Sequence, residues 1–214
     1  MRAAIGTATA WRRLATGVTR AALGGGLAWL PLVGAAVGGL AALGAAGGRA
    51  LSPLAGALAG VACLEALSGR EASRAGGVAA GAKVVALLGN PGWTWTLLLV
   101  LAPMLGRWAV VVQCYGGAPV AASGPASLVG RARFREFGWA SVTAIGTALV
   151  TAEAFGLGIV LGAALVTLAV RTRAYRRTRG LAPADLARTD TFVEAVVLAV
   201  PAAVNVALLA LVHH

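Results

Sequence analysis

Long apolar runs alternate with short basic or glycine-rich breaks along almost the whole chain. The runs cover residues 21–46, 51–67, 77–89, 94–115, 137–155, 156–170 and 192–212. A helix needs about 20 mostly apolar residues to cross the hydrocarbon of a bilayer, so this rhythm predicts a series of membrane-spanning helices. Two runs depart from it. The run 77–89 is too short to cross alone and ends in Asn90-Pro91-Gly92, which predicts a half-helix, a re-entrant piece or a shortened span. The fifth and sixth runs are parted only by the Glu153 to Gly158 region, which predicts a tight hairpin.

Composition fixes the class that the pattern suggests. With 59% hydrophobic and 12% charged residues and a mean hydropathy of +0.84, the chain lies outside the range of soluble globular proteins. The fold expected is an all-α, polytopic membrane helical bundle. Its 214 residues leave room for about six or seven crossings in one membrane-embedded domain, and no sizeable soluble domain. Cys63 and Cys114 stand in apolar surroundings without metal-ligand spacing, which points to packing.

Charge then sets an expected topology. Lys and Arg number 18 against 7 Asp and Glu, but they cluster between apolar runs, which argues for membrane orientation and against nucleic acid as a partner. Arg2, Arg12, Arg13 and Arg20 precede the first long run without an acidic residue among them, so the N-terminus is expected in the cytoplasm of a multi-pass cell-membrane protein. The run 21–46 is too long for the apolar region of a signal peptide. If all seven runs cross, the clusters Arg131/Arg133/Arg135 and Arg171/Arg173/Arg176/Arg177/Arg179 fall in loops on that same side, with the loop around Gly69 to Gly76.

Small and ionisable residues supply candidate contacts. Gly34/Gly38, Gly44/Gly48, Gly56/Gly60, Gly77/Gly81 and Gly158/Gly162 each stand four apart, a spacing that lets helices approach closely in lipid. Charged residues in or beside the spans are costly there and face a partner or a cavity. These are Glu65, Lys83, Arg107, Glu153 and Glu194, with Asp185 and Asp190 just before the last run. Glu65 and Lys83 are expected to snorkel or to pair with each other, and Glu153 to lie in the outer turn. Arg107, well inside LAPMLGRWAVVV, calls for a carboxylate or a phosphate.

Three stretches carry a family resemblance. LAWLPLVGAAVGGLAALGAA (27–46), LAPMLGRWAVVVQCYG (101–116) and RRTRGLAPADLARTDTFVEAVVLA (176–199) resemble the cobalamin synthase family, adenosylcobinamide-GDP ribazoletransferase. The resemblance implies a membrane transferase of cobalamin biosynthesis that joins GDP-activated cobinamide to α-ribazole or its phosphate and releases GMP. Its partners would be the lipid bilayer, the corrinoid nucleotide and α-ribazole, with a homo-oligomer or other corrinoid-pathway proteins as further candidates. Such phosphoryl transfer implies magnesium held by carboxylates.

The family's carboxylate motif, H-L-D-G-L-A-D-T-A-D-G, aligns without a gap on A-L-S-G-R-E-A-S-R-A-G, residues 66–76. Its histidine becomes Ala66 and its three aspartates become Ser68, Ala72 and Ala75. Serine is a poor ligand for a hard cation and alanine is none, so the usual magnesium site is expected to be missing. Glu71, between Arg70 and Arg74, is a weak replacement. In the last stretch the family's aspartate falls on Ala184, with Asp185 one place late, while Glu194 matches. Arg107, Asp185, Asp190 and Glu194 are therefore the substrate-binding candidates. Three functional readings follow: an active ribazoletransferase that recruits metal through the remaining carboxylates, a catalytically silent corrinoid-binding or scaffolding relative, and a small transporter resting on Asn90-Pro91-Gly92 and Arg107.

Overall fold

The computed structural model describes residues 25–68, 74–90, 92–120 and 128–212, and is all-helical. Among these residues seven α-helices occur in chain order: α1 Leu30–Arg49, α2 Pro53–Ser68, α3 Arg74–Leu88, α4 Trp95–Cys114, α5 Phe134–Thr151, α6 Glu153–Thr178 and α7 Pro183–Val212. Each expected run thus contains a helix. Arg2, Arg12, Arg13, Arg20, Glu71 and Ala72 lie outside the described residues.

Local chemistry sets several boundaries. Pro31, Pro53 and Pro183 open α1, α2 and α7, where a missing N–H costs nothing. The Ser52 hydroxyl accepts from Ala55 N–H at 3.0 Å and caps α2. Glu136 does the same for the Arg133 N–H at the start of α5. The α5–α6 hairpin turns at Ala152 and Glu153, the latter at φ +43°. Gly156 makes that turn possible, because a Cβ there would run into the Ala148 carbonyl and the Leu149 backbone.

Among the described residues three segments are long and apolar enough to cross a membrane: Leu27–Arg49, Gly92–Cys114 and Phe155–Thr178. Pro53–Ser68 and Gly77–Leu88 are apolar but shorter. Two expectations need correction. The arginines from 171 to 177 form the last turns of α6, which outruns its apolar stretch, and only Arg179 leaves the helix, at φ +54°. Asp185 and Asp190 also lie within a helix, because α7 begins at Pro183.

Consecutive helices run in opposite directions, so the ends form two sets. One end gathers the start of α1, the Ser68 end of α2, the Cys114 end of α4 and the starts of α5 and α7. Arg131, Arg133, Arg135, Arg173, Arg176, Arg177 and Arg188 all belong to it. At the other end Arg49 donates to the Gly92 carbonyl at 2.6 Å and stacks over Trp95.

Helix α4 is the hub, touching α1, α5, α6 and α7, with 15 of its residues buried. Its approach to α1 depends on glycine: a Cβ on Gly34 would meet the Pro103 carbonyl and Met104 Cα, and one on Gly38 the Leu99 carbonyl and Val100 Cα. Gly44, Gly48, Gly56 and Gly60 do the same between α1 and α2, and Gly162 faces Val196 on α7. Gly77 and Gly81 do not, since nothing described lies within 4 Å of a Cβ on either. Outward, Leu157, Leu161, Leu165 and Leu168 form an exposed stripe on α6, which suits a lipid solvent.

Candidate functional site

The charged residues that the spans bury meet in one cluster near the basic end. Lys83 on α3 is fully buried, and its ammonium donates to Glu65 on α2 at 2.5 Å and to Glu194 on α7 at 2.6 Å. Arg107 on α4 is 3% exposed and donates to the other oxygen of Glu194 at 2.8 Å, and to Asp190 at 3.3 Å. Its second terminal nitrogen donates to the Ser68 hydroxyl at 2.8 Å. Four helices are thereby tied through one set of charges. Arg107 sits about 10 Å along α4 from Cys114, and Glu194 about 16 Å along α7 from Pro183, so the cluster lies within the bundle.

Local sequence explains how α4 and α7 come so close. Gly106 precedes Arg107, and a Cβ on it would collide with the Asp190 side chain and backbone and with Glu194 Cγ. The glycine of the Gly-Arg-Trp run therefore makes room for the carboxylates that its arginine engages. Trp108 in turn donates to the Ser141 hydroxyl at 3.0 Å, tying α4 to α5. Toward the basic end, Gln113 donates to the Thr167 carbonyl at 2.9 Å and the Thr189 hydroxyl at 3.1 Å, linking α4 to α6 and α7.

Sequence-predicted residues divide accordingly. Arg107, Asp190 and Glu194 come together, and Ser68 joins them. Asp185 has other contacts, accepting from the Ala182 N–H at 3.0 Å and pairing with Arg188 at 3.2 Å, a capping arrangement at the start of α7. Ala66 is exposed on α2, and Ala75 falls in the first turn of α3. Lys83 pairs with Glu65 as expected, but it is buried instead of snorkelling. Its bond to Glu194, the link that makes the cluster continuous, is the feature that sequence reasoning missed. A single lysine within the apolar run 77–89 was the available signal, for such a charge needs a buried partner.

A second feature lies at the basic end itself. Residues 115–120 leave α4 and lie across the ends of α6 and α7. Tyr115 stacks on Phe137 with centroids 4.7 Å apart, the Tyr175 hydroxyl accepts from Ala118 N–H at 2.7 Å, and Leu181 and Ala118 are joined by a backbone bond of 2.9 Å. Gly116 and Gly130 adopt positive φ to permit this path. Arg171 donates to the carbonyls of Val112, Tyr115 and Gly116, which closes the carboxyl end of α4. Between them is an open pocket of about 580 Å³, lined by Gly116, Leu168, Arg171, Thr172, Tyr175 and Arg176.

The donor set in the core does not suit a divalent metal. Among the described residues no group of three His, Cys, Asp or Glu side chains is placed to hold one. Glu65, Asp190 and Glu194 have an ammonium and a guanidinium between them, and a hard cation would compete with both for the same oxygens.

Comparison with known proteins gives one finding. The family model described as cobalamin-5-phosphate synthase matches residues 68–182, from Ser68 through Lys83 and Arg107 to the start of α7. Neither the curated proteins nor the solved structures provide a match. The matched stretch is more than half of the 214-residue chain and contains the two buried cations and the basic pocket. The chain belongs to the cobalamin-5-phosphate synthase family, and is a helical membrane protein of cobalamin biosynthesis.

Proposed function

We propose that the protein acts at the ribazoletransferase step, where GDP-activated cobinamide is joined to α-ribazole with release of GMP. Its part there is to bind the corrinoid nucleotide without carrying out the magnesium-dependent transfer. One observation carries this reading. At Ser68, where the family motif has its first aspartate, the side chain is a hydroxyl turned toward the Arg107 guanidinium. Attack on a diphosphate requires that its developing charge be neutralised. Lys83 and Arg107 are the cations at hand, and both are engaged by the protein's own carboxylates.

Retained binding draws support from family membership and from the basic pocket, where the Arg176 guanidinium and the Tyr175 hydroxyl are donor groups suited to a phosphate-bearing ligand. The excess of arginine at that end supports a cytoplasmic orientation for it, by the positive-inside bias. A nucleotide would approach from that side. The active-transferase reading keeps one specific support: Asp190 and Glu194 do converge on Arg107, which also engages Ser68. The transporter reading loses one of its two supports, since Arg107 is accounted for by its carboxylate partners.

GMP release from adenosylcobinamide-GDP, α-ribazole and magnesium tests the proposal on the purified protein in lipid. A variant carrying Ala66→His, Ser68→Asp, Ala72→Asp and Ala75→Asp serves beside it. No release by the unmodified protein, with the corrinoid nucleotide bound, is the expected result. Turnover by the unmodified protein would make it an active transferase.

A further inference from the structure

Helix α6 carries one face without a break from the lipid into the basic pocket. Of the three spanning segments Phe155–Thr178 is the least buried, at 22% against 50% and 78% for the others. Leu157, Leu161, Leu165 and Leu168 are each more than half exposed on it. They follow one another at steps of three or four residues, and the same steps lead on to Thr172, Tyr175 and Arg176, so all share one side of the helix. Leu168 belongs to both parts, as the end of the stripe and as a wall of the pocket. From Leu157 to Leu168 the stripe runs about 16 Å along the axis. That is close to half of a hydrocarbon core about 30 Å thick, the depth of one leaflet. Arg171 follows one turn later, about 5 Å further, where the headgroups begin.

The pocket's donors suit a phosphate held at that depth. Arg171 aims three contacts at the carbonyls that end α4, and a guanidinium has five N–H donors, so at least two remain. The Tyr175 hydroxyl accepts from Ala118 and keeps its own hydrogen to donate. Arg176 is exposed and has no carboxylate partner among the described residues. Thr172 differs, since its hydroxyl donates to the Leu168 carbonyl. We infer that this pocket is the headgroup site of an anionic phospholipid of the leaflet on the basic side, with its phosphate on Arg171, Tyr175 and Arg176 and an acyl chain along Leu157 to Leu168. Two guanidiniums with no acidic residue among the pocket's walls favour a headgroup of net negative charge over a zwitterionic one, whose own cation they repel. A free phosphate would use the same donors, but it leaves unexplained an exposed leucine stripe that ends in the pocket. The inference goes beyond the proposed function by giving the pocket a resident ligand, which a corrinoid nucleotide would displace in order to use the same donors.

Native mass spectrometry of the full chain, delipidated in detergent and titrated with phosphatidylglycerol or phosphatidylcholine, tests the inference without any corrinoid. One phosphatidylglycerol per chain is expected to bind saturably, and phosphatidylcholine at least about fivefold more weakly. Arg176→Ala is expected to weaken phosphatidylglycerol by about fivefold, the worth of one basic contact near a membrane surface. Its exposed position makes loss of folding no explanation for the result. Arg177→Ala removes the same charge from the same end, at a position outside the pocket, and is expected to weaken binding less. Glycerol phosphate, the headgroup chemistry without acyl chains, is expected not to displace the lipid at equal concentration. Equal retention of the two lipids would overturn the inference. Equal losses in the two variants would also overturn it, because the field of the whole basic end would then hold the lipid. Displacement by glycerol phosphate would make the pocket a site for free phosphates and overturn the lipid assignment. Corrinoid binding and GMP release bear on the proposed function and leave these outcomes untouched.

Discussion

The two halves of α4 hold their neighbours by opposite means. In the first half, the backbone at Leu99 and Pro103 lies directly on Gly34 and Gly38 of α1, and the contact is apolar and close. In the second half, Gly106 lets α7 come near, and the contact is then made by Arg107, Asp190 and Glu194. Lipid is as apolar as leucine, so area burial gives the first contact little drive and closeness must supply it through dispersion. The second contact works by completeness, since each buried charge requires its partner. One tolerates no added volume and the other no missing charge.

The comparison orders the effects of substitution. Glu194→Ala is expected to be the largest, because it strips both Lys83 and Arg107 of a buried partner, at a cost of about 3–5 kcal/mol. Denaturant unfolding in detergent measures it, and a loss under about 1 kcal/mol would mean that water reaches the cluster. Gly34→Val comes next at about 1–3 kcal/mol, because its new atoms meet the Pro103 carbonyl and Met104 backbone, which cannot yield without moving α4. Gly106→Ala is expected to cost about 1–2 kcal/mol, because its methyl meets a carboxylate side chain as well as backbone. In an Asp190→Ala background that cost should shrink, and strict additivity would show that the two positions do not touch. Gly81→Ala is expected to change stability by no more than about 0.5 kcal/mol, since nothing described lies near it. A large loss there would reveal a contact on that face of α3.

What the sequence made legible follows the same division. Apolar runs located every helix, and four of the five glycine pairs marked a helix face that meets a neighbour. Gly77 and Gly81 carry the same spacing without that contact, because spacing alone does not say which face a helix turns to its neighbours. Arg107 was recognisable as a guanidinium in need of a carboxylate. Its partners stand 83 and 87 residues away, and only the register between α4 and α7 selects them. Lys83 and Glu65 were readable as a pair, while the bond from Lys83 to Glu194 spans 111 residues and depends on α3 lying against α7. The arginines after residue 170 suggested a loop because charge suggests solvent, yet a helix can carry charge once it has left the apolar layer. Ser68 shows the gain from structure most plainly. The resemblance implies a missing aspartate at this position, and the fold adds that the serine hydroxyl accepts from the Arg107 guanidinium.

We propose that this family member keeps a corrinoid-nucleotide site without a magnesium requirement. Equilibrium binding of adenosylcobinamide-GDP to the protein in lipid nanodiscs, measured once in chelator and once in magnesium, tests it most directly. The same affinity in both, and no GMP in either, is the expected result. Binding that appears only with magnesium, accompanied by GMP when α-ribazole is added, would contradict it.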